Sequence, residues 1–250
     1  FMTDVDVNEP HQIVERLLRY AHTDIRLVVG SPLDHLSEAL YVAVNARAVL
    51  ASGLAGSIRL LGGAEIEREL RLHGQLLVGG AYRTSGGRLA SRGLKHVIHG
   101  VTVSEPGASP RRVSVEDAFG AALLLLSDLR ARTATFPEIG TRVPGLTLVQ
   151  SAGLLASILA GALRRQSPLE HITIAGLHLE YLRAVRDRLI QEGATPACLQ
   201  SKLDIMSSAA IVRLVSPPTR IEPGRTHASS PTPTWSSDAP RCSRCSSCWR

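Results

Sequence analysis

Two stretches of the sequence place glycines and other small residues directly before a helix-like segment. They are residues 45–57 (NARAVLASGLAGS) and residues 136–145 (FPEIGTRVPG). The first N–H groups of a helix have no partner within the helix, and the helix dipole is positive at that end. This pattern favours binding of a phosphate or pyrophosphate, although the same glycines could simply permit tight turns. Neither stretch contains the Walker lysine pattern or matches GxGxxG.

Other residue types with known chemistry give weaker patterns. His96 and His99 lie in an apolar strand-like segment with no nucleophile beside them, which favours packing over catalysis. Cys242, Cys245 and Cys248 have CxxCxxC spacing but no fourth ligand at a suitable distance in the sequence. We therefore predict no metal site, and no cofactor is implied. The one carboxylate near the two loops is Glu138.

Apolar runs and helical periodicities alternate along the chain, which is typical of an α/β protein. The run from Leu40 to Val44 is continuous and the run from Ile25 to Val29 is broken only by Arg26, as in strands buried on both faces. Further strands are predicted at 76–82, 95–103, 133–135 and 171–175, and helices at 55–73, 114–130, 146–165 and 180–191. The expected fold is a three-layer α/β/α arrangement around a mixed, mostly parallel sheet, with ligands at the carboxyl ends of the strands.

The ends of the chain have a different character from this central part. Residues 1–23 are predicted to be an N-terminal helical extension, because Glu9 to His22 shows helical spacing of apolar residues. Residues 193–215 are predicted to be a C-terminal helical segment. Residues 216–250 are rich in Pro, Ser and Thr, so they are predicted to be disordered.

Composition and charge exclude several classes of protein. An apolar content of 44% allows one sizeable core, but no run of about 18 apolar residues is present to span a membrane. Of the net charge of +6, half comes from the tail after residue 215, so a nucleic-acid partner is not favoured. The acidic N-terminus does not resemble a signal peptide and the cysteines are not spread through the chain, which predicts a cytoplasmic location.

Three ordered segments resemble the macro domain, an ADP-ribose-binding family, over roughly residues 24–192. Residues 41–74 (YVAVNARAVLASGLAGSIRLLGGAEIERELRLHG) are similar to the family's first ligand loop and the helix after it. Residues 78–101 (VGGAYRTSGGRLASRGLKHVIHGV) resemble its central strands. Residues 135–145 (TFPEIGTRVPG) resemble its second phosphate loop. The resemblance implies the macro-domain fold.

The resemblance also assigns candidate ligand-binding residues. It implies that Gly30 and Ser31 stand near an adenine and that Asn45 lies near the distal ribose, where it would be the one candidate catalytic residue. It implies that the first loop supplies backbone donors to phosphate from Gly53, Leu54 and Ala55. It also implies that residues of the second loop lie against the pyrophosphate and distal ribose, namely Ile139, Gly140, Thr141, Arg142 and Val143.

This sequence departs from the family pattern at several of these positions. Ser31 stands where an aspartate is usual, Arg47 and Ala48 stand where a second asparagine would follow, and Arg142 replaces a glycine. An uncharged hydroxyl is a weaker acceptor for an adenine amino group than a carboxylate is. An arginine at a position of positive φ would cost about 1 kcal/mol.

Three functions remain open on these grounds. The first is a module that binds ADP-ribose, a related nucleotide or an ADP-ribosylated protein. The second is an ADP-ribosyl hydrolase in which Asn45 orients the ribose. The third is a degenerate macro fold that serves as a structural or interaction module without ligand. The sequence leaves the oligomeric state open.

Overall fold

An eight-stranded mixed sheet forms the centre of the protein. The computed structural model describes residues 16–165 and 167–196, which belong to one compact unit spanning Phe1–Ala197. The strands are β1 (Arg16–Tyr20), β2 (Thr23–Val29), β3 (Ala39–Asn45), β4 (Ala81–Ser85), β5 (His96–Val103), β6 (Thr133–Phe136), β7 (His171–Gly176) and β8 (Thr195–Pro196). The helices are α1 (Gly53–Gly62), α2 (Ala64–Leu72), α3 (Arg112–Asp128), α4 (Leu148–Leu163) and α5 (Leu179–Gln191).

The strand order is β4-β5-β3-β6-β7-β2-β1-β8. The five central strands, β5, β3, β6, β7 and β2, are parallel to one another. Strand β4 pairs antiparallel with β5, and β1 pairs antiparallel with β2. Strand β8 pairs antiparallel with β1. The prediction of an α/β fold with a mixed, mostly parallel sheet is therefore confirmed.

Two apolar cores lie on opposite faces of this sheet. Alternate residues of β3 divide between them, since Tyr41 packs with α3, α4 and α5 whereas Leu40 and Val42 pack with α1 and α2. This alternation follows from the two-residue period of a strand. Both faces of β3 are thus covered by helices, which explains why its sequence is a continuous apolar run.

The helix predicted from Glu9 to His22 is wrong in its described part. Residues Arg16–Tyr20 form β1, which pairs with β2 in an antiparallel hairpin. Leu18 and Tyr20 are buried while Leu17 is 46% exposed, so the burial has the period of a strand. The adjacent leucines fit a helical pattern equally well, and pairing with β2 decides between the two. The sheet therefore begins before residue 24.

Three other predicted boundaries change in the structure. The helix predicted at 55–73 is divided into α1 and α2 at Gly63, whose φ of 106° is not helical. The strand predicted at 76–82 begins only at Ala81, because Gly79 turns with a φ of 89°. The helical segment predicted at 193–215 starts instead with a turn and β8, and its remainder and the tail from 216 lie outside the described residues.

His99 is a buried core residue of β5, in agreement with its sequence context. Its side chain is 0% exposed, and its Nε2 lies 2.9 Å from Oγ1 of Thr84. Burial lowers the pKa of His99 from 6.5 to about 3, with a smaller contribution from the charge of His73. The imidazole is therefore neutral in the folded protein.

This burial predicts acid sensitivity. Unfolded His99 takes up a proton near pH 6.5 and folded His99 only near pH 3, so the unfolded state binds more protons between these values. The free energy of unfolding should fall as the pH decreases through this window. Urea titrations from pH 7 to 4 should show a shallower decline for His99→Leu than for the wild type. Parallel declines in the two proteins would contradict the prediction.

Candidate functional site

A cavity of about 310 Å³ opens at the carboxyl ends of β3, β5 and β6. Its position follows from the connections of these neighbouring strands. The chain leaves β3 toward α1 on one face of the sheet, whereas it leaves β5 and β6 toward α3 and α4 on the other face. A crevice forms where adjacent connections diverge in this way, and it is the usual ligand position in such sheets.

The first loop, residues 45–57, is held in shape by the side chain of Asn45. Its Oδ1 accepts hydrogen bonds from the backbone N–H groups of Arg47 and Val49, at 3.1 and 3.2 Å. Its Nδ2 donates to the carbonyl oxygen of Val49 at 2.8 Å. These bonds support Ala48 in the left-handed region, with a φ of 52°. Asn45 therefore shapes the loop as well as lining the cavity.

The amino end of α1 adjoins the cavity. Ser52 is the N-cap residue and lines the cavity together with Ala51 and Ala55, but its side chain makes no capping hydrogen bond. Gly53 begins the helix with a φ of 58°, a conformation that favours glycine. The first intrahelical bond links Gly56 N to Ser52 O, so the N–H groups of the residues before Gly56 have no partner within the helix.

The second loop, residues 136–145, is anchored to α5 and α4. The hydroxyl of Tyr181 accepts from Ile139 N at 2.9 Å and donates to Ile139 O at 3.1 Å. Ser151 donates to the carbonyl oxygen of Gly140, which has a φ of 81°. Arg142 is not among the described residues with positive φ, so its replacement of a glycine carries no backbone strain.

The connection from β5 to α3 forms a third wall, which the sequence reasoning missed. Residues Pro106 to Pro110 all line the cavity. Their composition, PGASP, was a usable signal, because proline and glycine directly after a strand mark a loop at the carboxyl end of the sheet. Arg47 of the first loop forms an exposed ion pair with Glu105 of this connection, at 2.6 Å.

Residues of β3, β5 and α3 also line the cavity, including Tyr41, Thr102 and Val115. The ring of Tyr41 packs edge-on against Phe119, with centroids 5.5 Å apart. Its buried hydroxyl has no hydrogen-bond partner among the described residues. Burial raises the pKa of Tyr41 well above its usual value, so the hydroxyl stays protonated and can donate.

The structure brings six of the candidate residues together at the cavity wall and leaves five outside it. The six are Asn45, Ala55, Ile139, Gly140, Thr141 and Arg142. The five that do not line it are Gly30, Ser31, Gly53, Leu54 and Val143. Gly53 and Leu54 nevertheless belong to the first turn of α1, whereas Val143 is a buried residue of the second loop.

Gly30 and Ser31 serve the local structure of the loop after β2. Gly30 N donates to the carbonyl oxygen of Gly176 at 2.9 Å, which joins this loop to the end of β7. Ser31 caps a short 3-10 helix, Pro32–Asp34, by accepting from Leu33 N at 3.2 Å. The two residues implied to stand near an adenine are thus separate from the cavity.

The polar groups around the cavity suit binding of an anion. Backbone N–H groups of α1 and the exposed guanidinium of Arg142 can both interact with phosphate oxygens. Within residues 16–165 and 167–196, no group of three His, Cys, Asp or Glu side chains could hold a metal ion. In the same part of the chain, no helix is long and apolar enough to cross a membrane.

Comparison with known proteins agrees with this fold. Residues 42–155 match the family model described as "Macro domain". A macro domain-containing protein of Streptomyces griseus is 32% identical over 127 residues, covering 48% of this chain and 70% of that protein. The chain belongs to the macro domain family. The macro-domain fold inferred from the three sequence segments is therefore confirmed.

Relatives and solved structures of macro domains differ in how much of their length is matched. An uncharacterized protein of Aeropyrum pernix is 35% identical over 50% of this chain, but the match covers 66% of that protein, just under two thirds. An Oceanobacillus iheyensis macrodomain solved with ADP has a TM-score of 0.61 and 18% identity, covering 72% of this chain and 97% of that one. A Trypanosoma brucei macrodomain in complex with ADP-ribose has a TM-score of 0.55 and 21% identity, covering 65% and 68%.

Proposed function

We propose that this macro domain binds ADP-ribose, a related nucleotide or an ADP-ribosylated protein in the cavity between the first and second loops. The observation that carries the proposal is the amino end of α1, which adjoins a cavity that also presents Arg142. Solved macro domains of similar fold hold ADP and ADP-ribose, which supports the choice of ligand. The diphosphate would lie against the first turn of α1.

The hydrogen bonds that the Asn45 side chain already makes favour ligand binding over hydrolysis as the function. Its carboxamide oxygen already accepts two backbone N–H groups, and its nitrogen donates to Val49 O. An oxygen with two such partners is poorly placed to orient an attacking water. The other carboxyl or amide group of the cavity wall, Glu138, is hydrogen-bonded to His178. We therefore propose a binding module, with ADP-ribosyl hydrolysis as the alternative to be tested.

Titration calorimetry of the 250-residue chain with ADP-ribose tests the proposal directly. We expect saturable binding in the wild type and a loss of about 3- to 10-fold in affinity for Arg142→Ala, since a solvent-exposed cation adds modestly to phosphate binding. The Arg142 contribution should shrink as salt is raised. Arg68→Ala removes an exposed arginine from α2, away from the cavity, and should bind like the wild type.

Absence of heat at millimolar ADP-ribose would refute the binding proposal. The third function, a structural or interaction module without ligand, would then be the one supported. Equal losses for Arg142→Ala and Arg68→Ala would show that only net charge matters. Hydrolysis is tested by incubating an ADP-ribosylated protein with the wild type and measuring the ADP-ribose released. Release that Asn45→Ala abolishes while leaving the binding affinity intact would favour the hydrolase.

A further inference from the structure

The side chain of Glu138 joins the second loop to the connection between β7 and α5. Its Oε1 accepts from the backbone N–H of His178 at 2.7 Å, and its Oε2 lies 2.7 Å from Nδ1 of the same residue. The carboxylate rests directly on Gly176, where an added Cβ would lie 2.4 Å from Oε1. Its side chain is only 12% exposed. We call this contact the Glu138–His178 pair.

The cavity ends at the Glu138–His178 pair. Glu138 lines the cavity, but the residues immediately beyond it, Gly176 to His178, do not. The next connection along the sheet, residues 30–33, is also outside the lining and is joined to Gly176 by a backbone hydrogen bond. The cavity volume of about 310 Å³ lies at the lower end of the range of about 300–1,000 Å³ found for ligand pockets.

We propose that the Glu138–His178 pair closes the site on the side of β7, so that the cavity holds the ribose and diphosphate and leaves the nucleobase in solvent. The inference rests on the proposed function and narrows its ligand class to ribosyl diphosphates with little preference for the base. Beyond the pair, Leu177 is 74% exposed.

The physical reason is that base selectivity requires enclosure. A site discriminates strongly between ligands when it buries polar groups that only the correct ligand can satisfy. Here the polar groups on the β7 side already satisfy one another, because both carboxylate oxygens of Glu138 interact with His178. A base in solvent keeps its hydration whichever base it is, so exchanging it should change the affinity little.

Calorimetric titration of the wild type with ADP-ribose and with its uridine counterpart, uridine diphosphate ribose, tests the inference. We expect the two affinities to agree within about threefold, since the shared ribose and diphosphate make the contacts. A preference for ADP-ribose greater than about tenfold would overturn the closed site while leaving the proposed function intact. Absence of binding by either ligand would instead defeat the proposed function itself.

Substitution of Glu138 tests the role of the pair. Glu138→Ala removes the wall above Gly176 and extends the cavity toward Leu177, so the affinity for ADP-ribose should rise by about fivefold relative to uridine diphosphate ribose, because the larger purine buries more surface. Glu180→Ala, which removes an exposed carboxylate from the first turn of α5, should keep the wild-type ratio.

Glu138→Gln is the control that separates loss of the side chain from a change in folding. It keeps the side-chain volume and one acceptor oxygen for His178 N, so it should retain the wild-type ratio of affinities. Thermal unfolding of each variant confirms that the domain is folded under the titration conditions. If Glu138→Ala is folded and its ratio equals that of the wild type, the Glu138–His178 pair does not close the site.

Discussion

Ser52→Glu should abolish ADP-ribose binding, with a loss of at least about 100-fold, while making the domain slightly more stable than the wild type. Ser52 lies at the amino end of α1, lines the cavity and makes no capping hydrogen bond. A glutamate there places a carboxylate at the position proposed for the diphosphate. The negative charge would repel the ligand and compete for the same N–H groups.

Ser52→Glu should weaken ligand binding but raise the free energy of unfolding. A carboxylate near the positive end of a helix contributes about 0.3–1 kcal/mol to helix stability, and Ser52 gives up no capping bond when it is replaced. Calorimetry with ADP-ribose and thermal unfolding without ligand measure the two quantities separately. Binding by Ser52→Glu within threefold of the wild type would exclude the amino end of α1 as the phosphate site.

Two control variants isolate the charge and its position. Ser52→Ala should bind ADP-ribose about as well as the wild type, because the Ser52 side chain makes no capping bond to lose. Leu60→Glu adds the same carboxylate to α1 at a residue that is 75% exposed and lies near the other end of the helix. It should leave the affinity unchanged, since the field of a terminal charge falls off within one helical turn.

Gly100→Ala should be strongly destabilising, by about 3 kcal/mol, and should lower Tm by roughly 6–12 °C. Gly100 lies in the middle of β5, and a Cβ there would meet the hydroxyl, Cε2 and Cζ of Tyr41 at 2.3, 2.6 and 2.7 Å. The ring of Tyr41 cannot move away freely, because it is buried against Phe119. The tightly packed interior therefore makes one additional methyl group costly.

A matched substitution and a second-site change test this explanation. Gly120→Ala in α3 introduces the same methyl group where no atom lies within 4 Å, and it should raise Tm because alanine favours a helix. Tyr41→Phe removes the closest clashing atom, so the double variant with Gly100→Ala should recover part of the lost stability. An additive double-mutant cycle would contradict the proposed contact.

The order of strands and helices could be predicted from sequence because it rests on local periodicity. The continuous apolar run of β3 indicates a strand covered on both faces, and its residues pack into both cores. In β2 the burial alternates as far as Leu27, because Asp24 and Arg26 are only partly buried. The sequence of Arg16–Tyr20 predicts a helix because adjacent leucines satisfy both periods. Its pairing with β2 across the turn at Ala21 decides the outcome, and pairing is not a property of the segment alone.

Part of the candidate site could also be predicted, because two of its loops have local patterns in the sequence. The first and second loops carry local signals, namely glycines before helices, and both lie at the cavity. The contact between Glu138 and His178 joins residues 40 positions apart, and it depends on the lack of a side chain at Gly176. Such a contact has no signature in either segment. The extent of the site toward β7 therefore required the three-dimensional arrangement.

The hydrogen bonds of Asn45 have a consequence for the energetics of ligand association. The amides of Arg47 and Val49 are bonded to the Asn45 carboxamide, although they belong to a connection at the rim of the cavity. Amides held in this way exchange their hydrogens with solvent slowly, unlike those of a freely moving connection. The first loop is thus ordered before any ligand arrives. Association does not have to freeze its backbone, and the entropy lost on binding is correspondingly smaller.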